Sequence, residues 1–353
     1  MSSTTLNPTA TSTSTATPSC ISVVPDKNGY VPEWACDANY SYYPSFGGAL
    51  FFAVAFGITT FLHIYQAFYY KKWRLCWVIV MGSAWEFASF ATRAAGTRNQ
   101  QSLPLAFVSQ ILFLLAPMWV NAFDYMVVGR MIYFFVPEQK IWGIRGIKIA
   151  KIFVWLDVLS FLTQLGGGAL IQPGQDPKTL MAGIHVYMGG IGLQELFILF
   201  FTAIGIKFFL TMKKAEASMA GTSNQILDGR PHNWRPLLFA LYASLMMITV
   251  RIIFRLVEFS AGIEPGDNPI PYTEAYQFCL DALPMLLAIS IMNVVHPGRI
   301  LKGEGSEFPK GPTRKEKKEL KRIKKEEKLA KKEEKKAAKE ERKAEKMQRN
   351  LGV

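Results

Sequence analysis

Seven apolar runs, each long enough to cross a lipid bilayer, occupy most of this 353-residue chain and leave it few architectures. A bilayer core of about 30 Å takes roughly 20 helical residues at ~1.5 Å each. Runs of that length lie at 46–68, 75–95, 104–128, 152–171, 181–206, 236–260 and 275–295. Inside hydrocarbon every backbone N–H and C=O must be paired within the chain, so each run is predicted to be a helix. The expected fold class is an all-α membrane protein, a seven-transmembrane helix bundle.

The net charge of +13 hides a division into three parts. Residues 1–43 form a Ser/Thr-rich polar tail, 44–300 the bundle, and 301–353 a Lys/Glu-rich tail predicted to be a solvated helix. That last part holds 20 Lys/Arg and 11 Glu, so the basic character belongs mainly to it and does not point to nucleic-acid binding by the body. No signal peptide is expected, because the first apolar run begins late and follows a polar tail. Alternate loops at 71–74, 130–151, 207–235 and 299 carry 14 Lys/Arg, whereas the opposite set carries three, Lys27, Arg98 and Lys178. The positive-inside rule then predicts an N-terminus outside and a C-terminus in the cytosol, a parity that needs an odd number of spans. On the outer side, Asn39-Tyr40-Ser41 is a glycosylation sequon, and Cys20 and Cys36 are the candidates for a disulfide. The contrary expectation is an unmodified polar tail. Cys76 and Cys279 fall within spans and read as small apolar fillers.

The costliest residues for a membrane helix are Arg251 and Arg255 in the sixth run, with Glu258 three residues on. An arginine near the middle of such a helix costs about 2.5–3.5 kcal/mol on insertion scales. Partners are therefore expected. The second run offers Glu86 and Arg93, seven residues apart on one helical face, and the seventh offers Asp281. The rise per residue puts Glu86, Arg93, Arg251, Arg255, Glu258 and Asp281 in one broad layer in the outer half, Arg93 above Glu86, with three charges of each sign. Gln164 in the fourth run and Gln194 in the fifth add polar groups, as do Gln110, Asn121, Asp124 and Asp157. Two readings are open: an ion-pair network that locks the second, sixth and seventh helices, or the lining of a cavity that meets a polar headgroup. Pro117 and Pro284 interrupt their helices and release carbonyls.

Enzymatic chemistry has no foothold here. The four histidines, His63, His185, His232 and His296, fall at depths that keep them from converging on a zinc ion. No HExxH, Gly-x-Ser-x-Gly or P-loop string is present. No cofactor is expected.

The motifs, in order, are Tyr43-Pro44, Glu86 with Arg93, Gln110 leading to Ala116-Pro117, and Asp157 through Gln164 and Gly166. They continue with Gly192-Leu193-Gln194, Arg251-x-x-Phe254-Arg255-x-x-Glu258, Glu274, Tyr276, Asp281, Pro284-Met285 and His296-Pro297-Gly298. This series resembles the fungal lipid-translocating exporter family, the RTA-like seven-span proteins that include sphingoid long-chain-base exporters and 7-aminocholesterol-resistance proteins. Where that family often has Gly-Tyr after the second-span glutamate, this chain has Ser89-Phe90.

The resemblance implies export of an amphipathic lipid, such as a sphingoid base or a sterol-like toxicant, across the plasma membrane, with endomembrane as the other location. Its partners would be membrane lipids and the lipid substrate, with no nucleic acid; oligomeric state is left open. Substrate-binding candidates are Glu86, Arg93, Gln164, Gln194, Arg251, Arg255, Glu258 and Asp281. Of these, Glu86 and Asp281 suit an ammonium group, and Arg251 with Arg255 suit a phosphate or carboxylate. The competing reading is a seven-transmembrane receptor-like stress sensor; a third is a membrane organiser working through its basic tail.

Overall fold

The computed structural model describes residues 21–32, 35–36, 38–40, 42–171, 176–220, 233–260, 268–303, 305–309 and 314–350. The chain divides into a bundle up to Ser306 and a separate C-terminal unit from Glu307. The bundle begins with α1 (Phe46–Tyr69), α2 (Trp73–Thr97) and α3 (Leu103–Phe135), joined in sequence by short turns. A two-residue hairpin, Lys140–Ile141 paired with Ile144–Arg145, follows α3. Trp142 and Gly143 both take positive φ at its tip, the turn geometry that matches the twist of paired strands.

Next come α4 (Gly146–Leu170), α5 (Pro177–Ala220) and α6 (Arg235–Ser260). The last crossing is composite. It starts as α7 (Glu274–Gln277), passes through a π-helical turn at Phe278–Ala282, and continues as α8 (Leu283–Val294) and the short α9 (Pro297–Ile300). The protein is an all-α membrane protein. Six of the described helices are long and apolar enough to cross a bilayer, among them α1, α2, α3, α5, α6 and the composite last helix. The predicted fourth run falls in α4, which stands apart from those six. It nevertheless packs against α3 and α5.

Helix sidedness follows residue spacing. On α1, Phe51, Val54, Ile58, Phe61 and Tyr65 are exposed, whereas Ala49, Phe52, Ala53, Phe56 and His63 are buried. Both sets recur at three- and four-residue steps, so one stripe faces lipid and the other the interior. α4 shows the same division, with Ile152, Trp155, Leu159 and Leu162 outward and Ile149, Phe153, Asp157 and Ser160 inward. Helices in lipid gain nothing from hiding apolar surface from one another, so close packing has to hold them. At the α4–α5 seam a Cβ on Gly190 would stand 2.8 Å from Gln164 Cγ, while Gly189 and Gly192 meet nothing within 4 Å.

Charged residues finish the helix ends. Glu216 near the end of α5 accepts from Trp234 Nε1 at 2.8 Å and pairs with Arg235 at 2.6 Å, which pins α6 to α5. His296 Nδ1 accepts from Gly298 N at 3.0 Å, leaving Nε2 to reach Cys76 Sγ at 3.4 Å. The His296 ring stacks on Tyr70, 4.7 Å between centroids. The His-Pro-Gly motif therefore locks the end of the last crossing to the α1–α2 turn.

The C-terminal unit is α10 (Arg314–Asn350). Its sequence repeats Lys-Lys-Glu-Glu-Lys at 324–328 and 331–335, and the side chains of 326–338 are all exposed.

Candidate functional site

The bundle has two ends. The N-terminal segment lies at one of them, with the α2–α3 connection and the start of α7; the α1–α2 and α3–α4 turns lie at the opposite end. The predicted charged layer sits in the half toward the N-terminal segment, and it comes as two groups.

The first group is built on α6, where Arg251 and Arg255 stand one turn apart and face Asp281 in the π-helical turn. Asp281 Oδ1 meets Arg251 Nε in a short ion pair, and its Oδ2 lies 2.7 Å from Arg255 Nε. One carboxylate thus bridges both guanidiniums. Arg255 also pairs with Glu258 at 3.2 Å. A π-turn inserts an extra residue into the helix and re-aims its side chains; here it carries Asp281 at its centre, with Pro284 just beyond.

Arg251 completes its contacts through a proline. Pro117 has no N–H, so α3 cannot satisfy the carbonyl of Phe113 four residues earlier. Arg251 Nη2 donates to that carbonyl at 3.1 Å. The Phe113 ring lies beneath both arginines, 4.8 Å from the guanidinium carbon of Arg251 and 5.4 Å from that of Arg255, within cation–π range.

Glu86 is the member with the fewest contacts. It is fully buried, at 0 % exposure, and its approach to Arg251 Nη1 is 3.8 Å. Neither of its oxygens has a hydrogen bond. The group therefore holds three carboxylates, Glu86, Glu258 and Asp281, against two guanidiniums.

Arg93 stands elsewhere. It pairs with Glu274 at the start of α7 at 2.9 Å and donates to the Tyr42 hydroxyl. Tyr40, Tyr42 and Phe278 surround the guanidinium, their ring centres 6.0, 5.9 and 5.7 Å away. Glu274 also accepts from Ser45 N at 2.7 Å, and Tyr42 donates to Gln277 at 3.3 Å. Burial pushes the Tyr40 and Tyr42 phenols up, with Arg93 pulling the other way, so both stay neutral. Arg93 thus ties the N-terminal segment to α2 and α7. The broad layer expected from the sequence divides into two groups, because the seven-residue step from Glu86 carries Arg93 about 10 Å along α2, to the level of Glu274. The assigned candidates omitted Glu274, although it stands in the motif string.

Gln164 and Gln194 bond each other at 3.0 Å across the α4–α5 seam; among the described residues neither bonds to an arginine of the first group. Ser89 donates to Ser109 O at 2.7 Å, and Phe90 stacks with Phe52 and Phe56 at 5.2 and 5.6 Å. The Ser89-Phe90 variation therefore builds an apolar wall beside Glu86. Asn39 Nδ2 donates to Gln100 O at 2.9 Å, a bond that a glycan on Asn39 would reshape. Cys20 lies outside the described residues, as does His232.

A second polar centre, which the site assignment left out, lies toward the opposite end. Asp124 on α3 accepts from Ser244 on α6 at 2.7 Å. Asp157 on α4 accepts from Asn121 at 3.1 Å and Tyr125 at 3.0 Å, both on α3. The signal in the sequence was the i, i+3, i+4 spacing of Asn121, Asp124 and Tyr125, which puts all three on one helical face.

No solved structure matches this chain. A probable lipid transporter of Emericella nidulans is 46% identical over 88% of this chain and 80% of its own length. A lipid-translocating exporter-like protein of Leptosphaeria maculans is 27% identical over 75% of this chain, which spans 52% of that longer relative. A sphingoid long-chain base transporter of Saccharomyces cerevisiae is 22% identical over 73% of each chain. The model of the family described as RTA1 like protein matches residues 79–304, a stretch that contains both arginine groups and every crossing except the first. The chain belongs to the RTA1-like family.

Proposed function

We propose that this protein exports amphipathic lipids whose polar end carries a positive charge, a sphingoid-base type of molecule, and so contributes to resistance against such lipids and sterol-like toxicants. Relatives named as lipid transporter, lipid-translocating exporter and sphingoid long-chain base transporter support this reading. In it, α4 is the seventh crossing, since 25 residues reach about 37 Å and its outward stripe is apolar. The N-terminal segment lies outside the cell with Cys20 joined to Cys36, the C-terminal unit lies in the cytosol, and the membrane is the plasma membrane.

The observation that carries the substrate class is Glu86, fully buried with neither oxygen hydrogen-bonded. Its group carries one more carboxylate than guanidinium, and a buried excess charge calls for a partner. An ammonium headgroup brings one positive charge and several N–H donors, so it meets both needs. Asp281 would hold the arginines in place while Glu86 receives the headgroup, and the wall of Phe52, Phe56 and Phe90 would lie along the first carbons of the chain. This reverses part of the sequence-based assignment: the arginines position carboxylates, and the carboxylates bind.

The test is release of a labelled sphingoid base from sensitive yeast cells expressing the intact chain, an empty vector, or Glu86→Gln. Release should exceed the vector for the intact chain and fall to it for Glu86→Gln at equal surface level. Equal release by intact chain and vector removes the reading.

A further inference from the structure

The second polar centre differs in kind from the first. Asp124 is 0 % exposed and Asp157 2 %, as deep as Glu86 and Asp281, yet no lysine, arginine or histidine pairs with either among the described residues. Their partners are neutral: the Ser244 hydroxyl, the Asn121 amide and the Tyr125 phenol. Asp124 Oδ1, Asp157 Oδ1 and Asn121 Oδ1 are buried with no hydrogen bond at all.

Arg130 of α3 and Arg251 and Arg255 of α6 are buried in the same bundle, but among the described residues none of them pairs with Asp124 or Asp157. α3 contributes Asn121 and Tyr125, α4 contributes Asp157 itself, and α6 contributes Ser244. α5 brings a further acid, Glu195, which accepts from Thr249 of α6 at 3.0 Å. Phe153 and Phe201 pack on the Tyr125 ring at 5.3 and 4.5 Å, so the surroundings are apolar. An ionised carboxylate there would be an uncompensated buried charge, costing several kcal/mol.

The geometry points to Asp124 and Asp157 as a proton-carrying pair that couples lipid export to proton movement across the membrane. With a proton on each, the α3–α4–α6 seam is neutral and closed. When the protons leave toward the more alkaline side, two buried carboxylates are left charged with no cation paired to either, and the helix contacts they make loosen. The proton enters and leaves as H+ on a carboxylate oxygen, so charge and atoms balance without any other reactant.

Two of these helices, α3 and α6, also reach the proposed lipid-headgroup site. Ser244 and Arg251 lie seven residues apart on one face of α6, about 10 Å. α3 carries Asp124 and, eleven residues earlier, the Phe113 carbonyl that holds Arg251. A change in the Asp124–Ser244 contact therefore shifts the two elements that frame Arg251 and, through it, Glu86. Buried acids in transporters are used as proton relays for this physical reason.

This inference rests on the export reading, so its experiment has one arm that does not. In the first arm, purified full-length protein is followed by infrared difference spectroscopy across a pH titration. Protonated carboxyl bands should appear and be lost in Asp124→Asn and Asp157→Asn, with thermal unfolding checking that the variants remain folded. A spectrum without such bands overturns the pair whatever the substrate.

In the second arm, proteoliposomes take up a labelled sphingoid base with and without an imposed pH gradient, corrected for protein-free liposomes. Two coupled protons, one from each acid, should shift the final distribution about a hundredfold per pH unit. The Asp124→Asn/Asp157→Asn variant should show no shift. Protein-mediated uptake that ignores the gradient, or a double variant that still follows it, overturns coupling. If neither protein-mediated uptake nor release is seen, the export reading fails, and the infrared arm still decides the proton pair.

Discussion

Two halves of the bundle hold acids among their helices and treat them in opposite ways. Toward the N-terminal segment, Asp281 is clasped by Arg251 and Arg255, and Glu274 by Arg93. Toward the opposite end, Asp124 and Asp157 meet only a hydroxyl, an amide and a phenol. A carboxylate held by guanidiniums acts as a fixed strut. One held only by neutral donors has no cation that compensates its charge, so gain or loss of a proton changes the balance at its helix contacts. Burial alone therefore says nothing about a membrane acid's role; the charge of what faces it does.

The largest effect should come from the strut. Asp281→Ala strands two buried guanidiniums and should cost about 3–5 kcal/mol, read as a large fall in unfolding temperature in detergent or as loss of folded protein. A small cost would mean that Glu86 and Glu258 suffice to hold the arginines. Next is the Arg93–Glu274 pair. A double-mutant cycle with Arg93→Ala and Glu274→Ala should give a coupling of about 1–3 kcal/mol, and exposure of the 21–45 segment to protease should rise in each single variant. Zero coupling would detach the N-terminal segment from the bundle's charge network.

Smaller again should be Asp124→Asn and Asp157→Asn. Asparagine matches the shape of a protonated carboxyl, so each should cost about 1 kcal/mol or less in the same unfolding assay. A loss as great as that of Asp281→Ala would erase the distinction between the two halves. The smallest should be Glu326→Ala on α10. Its pairing with Arg322 at 3.4 Å joins side chains that are 64 % and 80 % exposed, so the helix content measured by circular dichroism should hold to within about 0.5 kcal/mol.

Much of this was legible along the chain. Apolar runs of about 20 residues locate the crossings, because lipid forces an unpaired backbone into helix. The cost of Arg251 and Arg255 forces partners, and Glu86, Glu258 and Asp281 were identifiable as acids at matching depth. The motif order pointed to the family. The broad layer read from the sequence divides into two groups, with Arg93 on Glu274, and the candidates named from the sequence did not include Glu274, Asp124 or Asp157. Depth along a helix is set by rise per residue, but the direction in which a side chain points is set by the neighbouring helices.

By itself, then, the amino-acid sequence determined that the chain is helical, embedded in a membrane and obliged to neutralise buried charge, since each of these follows from transfer free energies of single residues and short runs. Only the tertiary structure decided which acid meets which base. That choice depends on helix rotation and register, on the π-turn that aims Asp281 at both arginines, and on Pro117 freeing the carbonyl that Arg251 takes. The excess carboxylate at Glu86 and the cation-free pair at Asp124 and Asp157 result from those contacts, because a charge's role is fixed by what stands opposite it in space.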